Sequence, residues 1–317
     1  MENENPNILS LLPEDCTGKI LGFTSPVDVC RVSLVSKSLQ SAADSNSVWE
    51  KFLPCDYQSI ISGSVTPIPD FGSKKDLYVY LCHNPILIDA GSKSFSLEKR
   101  TGKKCYFLGA RDLNIAWADT PRHWRWTSLP ESRFPEVVKL RRVWWLEIRG
   151  TIRVGVLSPR TSYVAYIVYK LKNDHGFHFR PSEVSVGVCG VELDTQFAFL
   201  VPKGRQYHPY KSIYRMSSAT EDELEQLDDD NEEAVYIYFP CPYGRGPLLP
   251  VRASNLVQSN IRRRQLRDDG WFEIELGEFY TENEDDCIEM SLKEVNDCLS
   301  PKDGLIVEGI EIRPRMG

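Results

Sequence analysis

The chain of 317 residues has no Cys-x-x-Cys pair, and its nine cysteines are odd in number and scattered. That usage excludes a disulfide framework and a zinc ribbon, and single thiols suit a reducing compartment. The first residues, Met1 to Pro6, lack the basic start and apolar run of a signal peptide. No apolar run is long enough for a membrane helix, and no Asn-x-Ser/Thr acceptor occurs. A cytoplasmic or nuclear location, or both, is therefore expected, without membrane association. A net charge of −7 argues against nucleic acid as the main ligand.

Catalytic signatures are missing as well. There is no Gly-x-x-x-x-Gly-Lys-Ser/Thr loop, no Gly-x-Ser-x-Gly elbow and no His-Glu-x-x-His. His175 and His178 could chelate a metal, but no further ligands follow at suitable spacing. Glu273 and Glu275 could suggest a glycosidase pair, yet alternating acids are usual on the wet face of a strand. The expectation is no catalytic site, no cofactor and no metal.

What the sequence does contain changes period along its length. Residues 8–53 have helical signals. Leu12, Cys16 and Ile20 recur at i, i+4 and i+8. Pro13 before Glu14 and Asp15 starts a helix, and Ser25-Pro26 before Asp28 repeats the signal. Val32, Val35, Leu39 and Ala43 form another stripe, and Ser47-Val48-Trp49 opens a last short helix. So small a unit has little core of its own, and its surplus apolar residues suggest a partner surface. Ser73 and Asp76 resemble a capping box that opens a helix ending near Asn84-Pro85.

From about residue 94 the period is two. Candidate strands are 105–108, 143–149, 152–157, 163–171, 184–191, 197–201, 235–239, 271–276, 288–292 and 305–312. Within them, Trp144, Leu146 and Ile148 read as one core-facing set. Phe272, Ile274 and Leu276 read as buried, with Trp271 alternating with the acids 273 and 275. Many short strands indicate an all-β sandwich or jelly roll, so the fold class is α+β overall, a small all-α module followed by that domain. Residues 221–233, with nine acids in thirteen positions, read as a solvated acidic loop. Arg262, Arg263, Arg264 and Arg267 read as a solvated face.

Taken together, Ser10-Leu11-Leu12-Pro13-Glu14-Asp15, Ile20, Ser25-Pro26-Val27-Asp28-Val29, Val32-Ser33-Leu34-Val35-Ser36-Lys37 and Trp49-Glu50-Lys51-Phe52 strongly resemble an F-box over 5–55. The resemblance implies docking on the SKP-type adaptor of a cullin-based SCF ubiquitin ligase. Leu12, Pro13, Ile20, Pro26, Val29 and Val32 would form or support the docking surface. A helical linker is expected over 56–93.

The remainder, 94–314, is similar to phloem protein 2, a plant family that includes the Nictaba-type lectins. The likeness rests on Ser94–Lys99, Gly102–Cys105, Ala110–Leu113 with Trp117, Pro121–Trp126, Ser132–Glu136, Trp145–Gly150, Asp269–Phe279 and Gly304–Pro314. It implies a glycan ligand containing N-acetylglucosamine or a related sugar. Trp117 and Trp124 match the family's two sugar-contacting tryptophans, and Glu294 one of its two carboxylates. The second falls on Cys287, which leaves Asp285, Asp286 or Glu289 as substitutes, Asp286 being the candidate kept.

The chemistry agrees with that class. Five of the seven tryptophans lie between 117 and 145. An indole covers the C–H face of a sugar ring, and carboxylates hold its hydroxyls. The expected function is a non-catalytic recognition subunit of a ubiquitin ligase that selects glycosylated targets. The alternative is an F-box adaptor whose β-domain recognises proteins without binding sugar.

Overall fold

The computed structural model describes residues 12–177, 181–191, 195–201, 261–294 and 301–315, with the backbone of four short strands between 234 and 252. The acidic stretch 221–233 and His178 lie outside the described residues.

Six helices come first: α1 (Glu14–Leu21), α2 (Pro26–Val32), α3 (Lys37–Asp44), α4 (Asn46–Phe52), α5 (Tyr57–Ser62) and α6 (Lys74–His83). Their starts are set by local chemistry. Pro13 is the N-cap of α1, with Glu14 and Asp15 in the first turn. The Ser25, Ser36 and Ser73 hydroxyls accept the amides of Asp28, Leu39 and Asp76 at 3.1, 3.2 and 3.1 Å, each satisfying a donor that has no partner within its helix. The expected stripe from Val32 to Ala43 is divided, because Ser36 caps a new helix. Val35 is left exposed in the turn while Leu39 and Ala43 are buried.

The strands, in chain order, begin with β1 (Ile86–Ile88), β2 (Lys93–Leu97), β3 (Lys104–Gly109), β4 (Asn114–Ile115), β5 (Trp124–Thr127) and β6 (Val137–Leu140). Next come β7 (Leu146–Arg153), β8 (Ser162–Leu171), β9 (Ser182–Val188) and β10 (Thr195–Phe199). After the short strands β11 (Ala234–Ile237), β12 (Pro240–Cys241), β13 (Gly244–Arg245) and β14 (Leu249–Arg252) follow β15 (Ile261–Arg263), β16 (Gln265–Leu266), β17 (Phe272–Tyr280), β18 (Cys287–Glu294) and β19 (Leu305–Pro314). A nine-stranded sheet runs β1-β2-β3-β19-β8-β17-β16, with β6 also pairing β19 and carrying β5. A six-stranded sheet runs β15-β10-β9-β18-β7-β4. All their pairings are antiparallel except β10 with β15. The core lies between the sheets: a Cβ on Gly150 of β7 would stand 3.0 Å from Ile310 of β19.

Three expectations change. The segment 152–157 is not a separate strand: β7 continues to Arg153 and ends in a 3-10 turn, Val154–Val156. The linker 56–93 is not wholly helical, since β1 pairs with β2. The third concerns the outer face of the nine-stranded sheet, which is also covered. There Trp271 packs with Phe107, Phe134, Val137 and Val168. Beside it Glu273 is buried and ion-paired with Arg267 at 3.0 Å and Arg313 at 2.5 Å. Arg267 is therefore no solvated residue, Arg262 pairs with Glu275 at 3.0 Å, and Arg264 stacks on Phe272.

The helices share this core. Trp49 packs on Tyr78 at 5.2 Å and donates to the Ala43 carbonyl at 2.7 Å. Tyr78 donates to the Lys99 carbonyl at the β2–β3 turn, where a Cβ on Gly102 would meet the Phe52 carbonyl at 2.6 Å. Lys104 of β3 pairs with Asp56 at 2.7 Å. Trp49→Ala should therefore cost about 3–5 kcal/mol, whereas exposed Phe23→Ala should change stability by less than about 0.5 kcal/mol. Urea unfolding of both variants checks the contrast.

Candidate functional site

The expected sugar residues separate into a platform and its supports. Trp117 follows β4 in a turn held by Ala116 N–H to the Glu147 carbonyl (3.0 Å) and Thr120 N–H to the Trp117 carbonyl (2.9 Å). Its φ of 64° is in the left-handed region, a conformation that costs a bulky residue energy and persists where surroundings enforce it. The indole is 45% exposed. Its ring stands 5.7 Å from Trp145, edge to face, and 5.6 Å from His123.

Trp124 is only 2% exposed, which corrects its expected role as a stacking surface: too little of the ring is uncovered to stack on a sugar. Alternation along β5 turns it inward, and its Nε1 donates to the Ala116 carbonyl at 2.9 Å. Trp126, two residues on, donates to the Ala118 carbonyl at 3.3 Å. The two indoles thus hold the peptide groups on either side of Trp117. Arg111 lies 3.6 Å over Trp126 and bonds Glu136.

Trp144 and Trp145 are 49% and 43% exposed, against the core-facing reading of Trp144. The parity argument assumed a strand from 143, but β7 begins at Leu146. The preceding segment is pinned instead by a bridge between Val143 and Lys302. Sequence reasoning missed Trp145 as the neighbour of Trp117; the density of tryptophans was its only signal.

Glu294 points inward. It is buried, and its Oε1 lies 3.2 Å from the Nζ of Lys302, itself 1% exposed. Lys302 also donates to the Trp144 carbonyl at 3.2 Å. A charge so paired and buried supports the scaffold. Glu294 pairs with Leu146 at the Trp117 end of β18, whereas Asp286 precedes the other end. Eight residues of extended chain separate them by about 26 Å, so Asp286 does not join the tryptophans. Its carboxylate accepts from Asn283, and Glu289 pairs with Arg149 at 3.5 Å. Cys287 stands beside Cys189, whose amide donates to the Cys287 carbonyl at 2.7 Å. Burial and that second thiol push the Cys189 thiol up to about 11.

The helical module presents its own face. Leu12, Pro13, Cys16 and Ile20 are exposed along α1, joined by Phe23 at 90% and Leu34 at 86%. Pro26 and Val29 are buried and Val32 is half-buried, so these three support the face from beneath. Phe23 and Leu34 were missed because they sit in turns, where helical periodicity carries no information. Among the described residues no helix is long and apolar enough to cross a membrane, and no group of His, Cys, Asp and Glu is placed to hold a metal ion.

Burial separates the two matched tryptophans by experiment. Trp124→Ala should lose about 3–5 kcal/mol of stability, and Trp117→Ala less than about 1 kcal/mol. Denaturant titration of each variant measures this.

Comparison with known proteins agrees with both halves. The phloem protein 2 family model matches residues 103–314, and the F-box domain model matches residues 9–51. The F-box protein PP2-B10 of Arabidopsis thaliana is 40% identical over 306 residues, covering 95% of this chain and 92% of that protein. F-box protein PP2-B15 of the same plant is 39% identical over 310 residues, covering 96% of each. F-box protein PP2-B13 is 37% identical, covering 96% of this chain and 99% of its own. With matches of this extent across an exposed helical face and a tryptophan-bearing β-sandwich, the chain belongs to the F-box proteins that carry a C-terminal phloem protein 2 domain.

Proposed function

We propose that this protein is the substrate-recognition subunit of an SCF-type ubiquitin ligase. Its helical module docks on a SKP-type adaptor, and its β-domain binds glycans on target glycoproteins. Ubiquitin transfer belongs to the partner enzymes. The docking half is supported by the exposed apolar residues Leu12, Ile20, Phe23 and Leu34 on so small a module, a surface whose burial would recover hydrophobic free energy.

The observation that carries the glycan half is Trp117: a half-exposed indole in a costly backbone conformation, flanked by hydrogen bonds from the buried Trp124 and the half-buried Trp126. Such a ring covers the C–H face of a sugar and contributes about 0.5–1.5 kcal/mol beyond area burial, by analogy with aromatic pairs. Backbone amides and hydroxyls add hydrogen bonds of about 0.5–1.5 kcal/mol each. The weak end of the millimolar-to-micromolar range follows for a single site. The second reading, recognition of protein without sugar, is favoured by one observation: neither matched carboxylate position is available, since Glu294 is paired inside and Cys287 replaces the other.

Two experiments test the proposal. Leu12→Ala with Pro13→Ala, and separately Phe23→Ala with Leu34→Ala, should each weaken adaptor binding by about 1–4 kcal/mol in the folded protein. Retained full binding by both pairs would overturn the docking face. On a broad glycan array the wild-type chain should bind and Trp117→Ala should not; silence of the wild type across the array selects the second reading.

A further inference from the structure

The strands β5 and β6 form a two-stranded ribbon with opposite faces of contrasting chemistry. Trp124 pairs with Leu140 and Trp126 with Val138, and these side chains pack into the core. Arg125 stands directly opposite Lys139. In the next pair the Arg141 amide donates to the His123 carbonyl at 2.8 Å. Like charges placed directly opposite one another repel and destabilise a sheet. Here one such pair, Arg125 with Lys139, is flanked by exposed Arg122, Arg141 and Arg142.

One exposed acid, Asp119, lies close by. Among the described residues, none of Arg122, Arg125, Lys139, Arg141 or Arg142 takes part in an ion pair. Arg111, Arg149, Arg267 and Arg313 all do. The chain carries a net charge of −7, so this concentration of unpaired cations is local. Its centre is a depression of about 450 Å³ lined by Arg111, Arg125, Arg141, Asp119, Pro121 and Trp126 among others. Arg141 is fixed there by a hydrogen bond from its Nη1 to the Pro121 carbonyl at 3.0 Å. Ala118 and Asp119, which follow Trp117 directly, form another wall. His123, opposite Arg141, touches the Trp117 ring.

We infer that this face takes an acidic saccharide, with a sugar ring against Trp117 and its sulfate, phosphate or carboxylate in the depression between Arg125 and Arg141. The inference rests on the glycan reading above and adds the ligand class. The carboxylates expected to hold sugar hydroxyls are placed elsewhere, Glu294 facing Lys302 inside and Asp286 at the far end of β18; in the depression the one acid, Asp119, stands against three arginines. The depression reached from the Trp117 turn is lined by Arg111, Arg125 and Arg141, and guanidinium groups pair with anions by charge-assisted hydrogen bonds. An anion would also relieve the repulsion built into the ribbon.

The test measures binding of the full chain by calorimetry to three size-matched probes: a sulfated heparin-derived oligosaccharide, an oligogalacturonate and an uncharged chitooligosaccharide. At least one acidic probe should bind about tenfold more tightly than the uncharged one, and that advantage should shrink as salt rises from about 0.05 to 0.3 M. Arg125→Glu with Arg141→Glu should remove the advantage and leave any affinity for the uncharged probe in place. Trp117→Ala should remove binding of every saccharide. Binding of the uncharged probe as tightly as the acidic ones overturns this inference and leaves the glycan reading standing. No binding of any probe or array glycan overturns both. Acidic binding that survives Trp117→Ala, or is matched by inorganic pyrophosphate or an acidic peptide, identifies a general anion surface and also overturns the proposal.

Discussion

The buried ion pair between Lys302 and Glu294 decides how the Trp117 end of the β-domain is built. Lys302 exchanges both backbone hydrogen bonds with Val143, at 3.0 and 2.7 Å, before the chain enters β19. Its ammonium, almost wholly out of water, is shared between the Glu294 carboxylate and the Trp144 carbonyl. One side chain therefore ties together the end of β18, the approach to β7 and the approach to β19. Burying two charges has a desolvation cost that their attraction only partly offsets, so such a pair gives little net stability but is costly to break on one side. Its consequence is positional: the chain before β7 turns outward, and Trp145 comes to rest against Trp117.

The same logic applies to the second tryptophan. Trp124 is almost wholly buried, yet its hydrogen bond to Ala116 and that of Trp126 to Ala118 add side-chain restraints to the backbone bonds that hold the left-handed turn at Trp117. One exposed indole is thus flanked by a buried and a half-buried one, with His123 and Trp145 at its sides. A residue can match a binding motif and serve it by positioning its neighbour.

Much of the fold was legible because its signals are local. Pro13 starts a helix, Ser25 and Ser73 cap helices through amides three residues away, and strands such as β7 show in alternating burial. The family resemblance marked both domains. What remained hidden depends on distant partners. Trp144 lies 158 residues from the lysine that holds its carbonyl, so parity alone placed it in the core. Glu294 matched a ligand carboxylate in sequence while its true partner is a lysine reached only by folding. Trp271 and Glu273 followed the pattern of a wet strand face, but the covering segment around Phe134 and the arginines 267 and 313 made that face a second core. The exposed residues Phe23 and Leu34 sit in turns, beyond the reach of helical periodicity.

The account stands on Glu294 being a support and Trp117 the contact. The most direct measurement compares Lys302→Met, Glu294→Leu and the double variant, by denaturant unfolding and by affinity for the tightest saccharide found for the wild type. Each single variant should lose about 3–5 kcal/mol, because it leaves one buried charge unpaired. The double variant should recover most of that loss and bind with wild-type affinity. A double variant that folds stably but no longer binds would put the Glu294 carboxylate on the ligand and contradict the account.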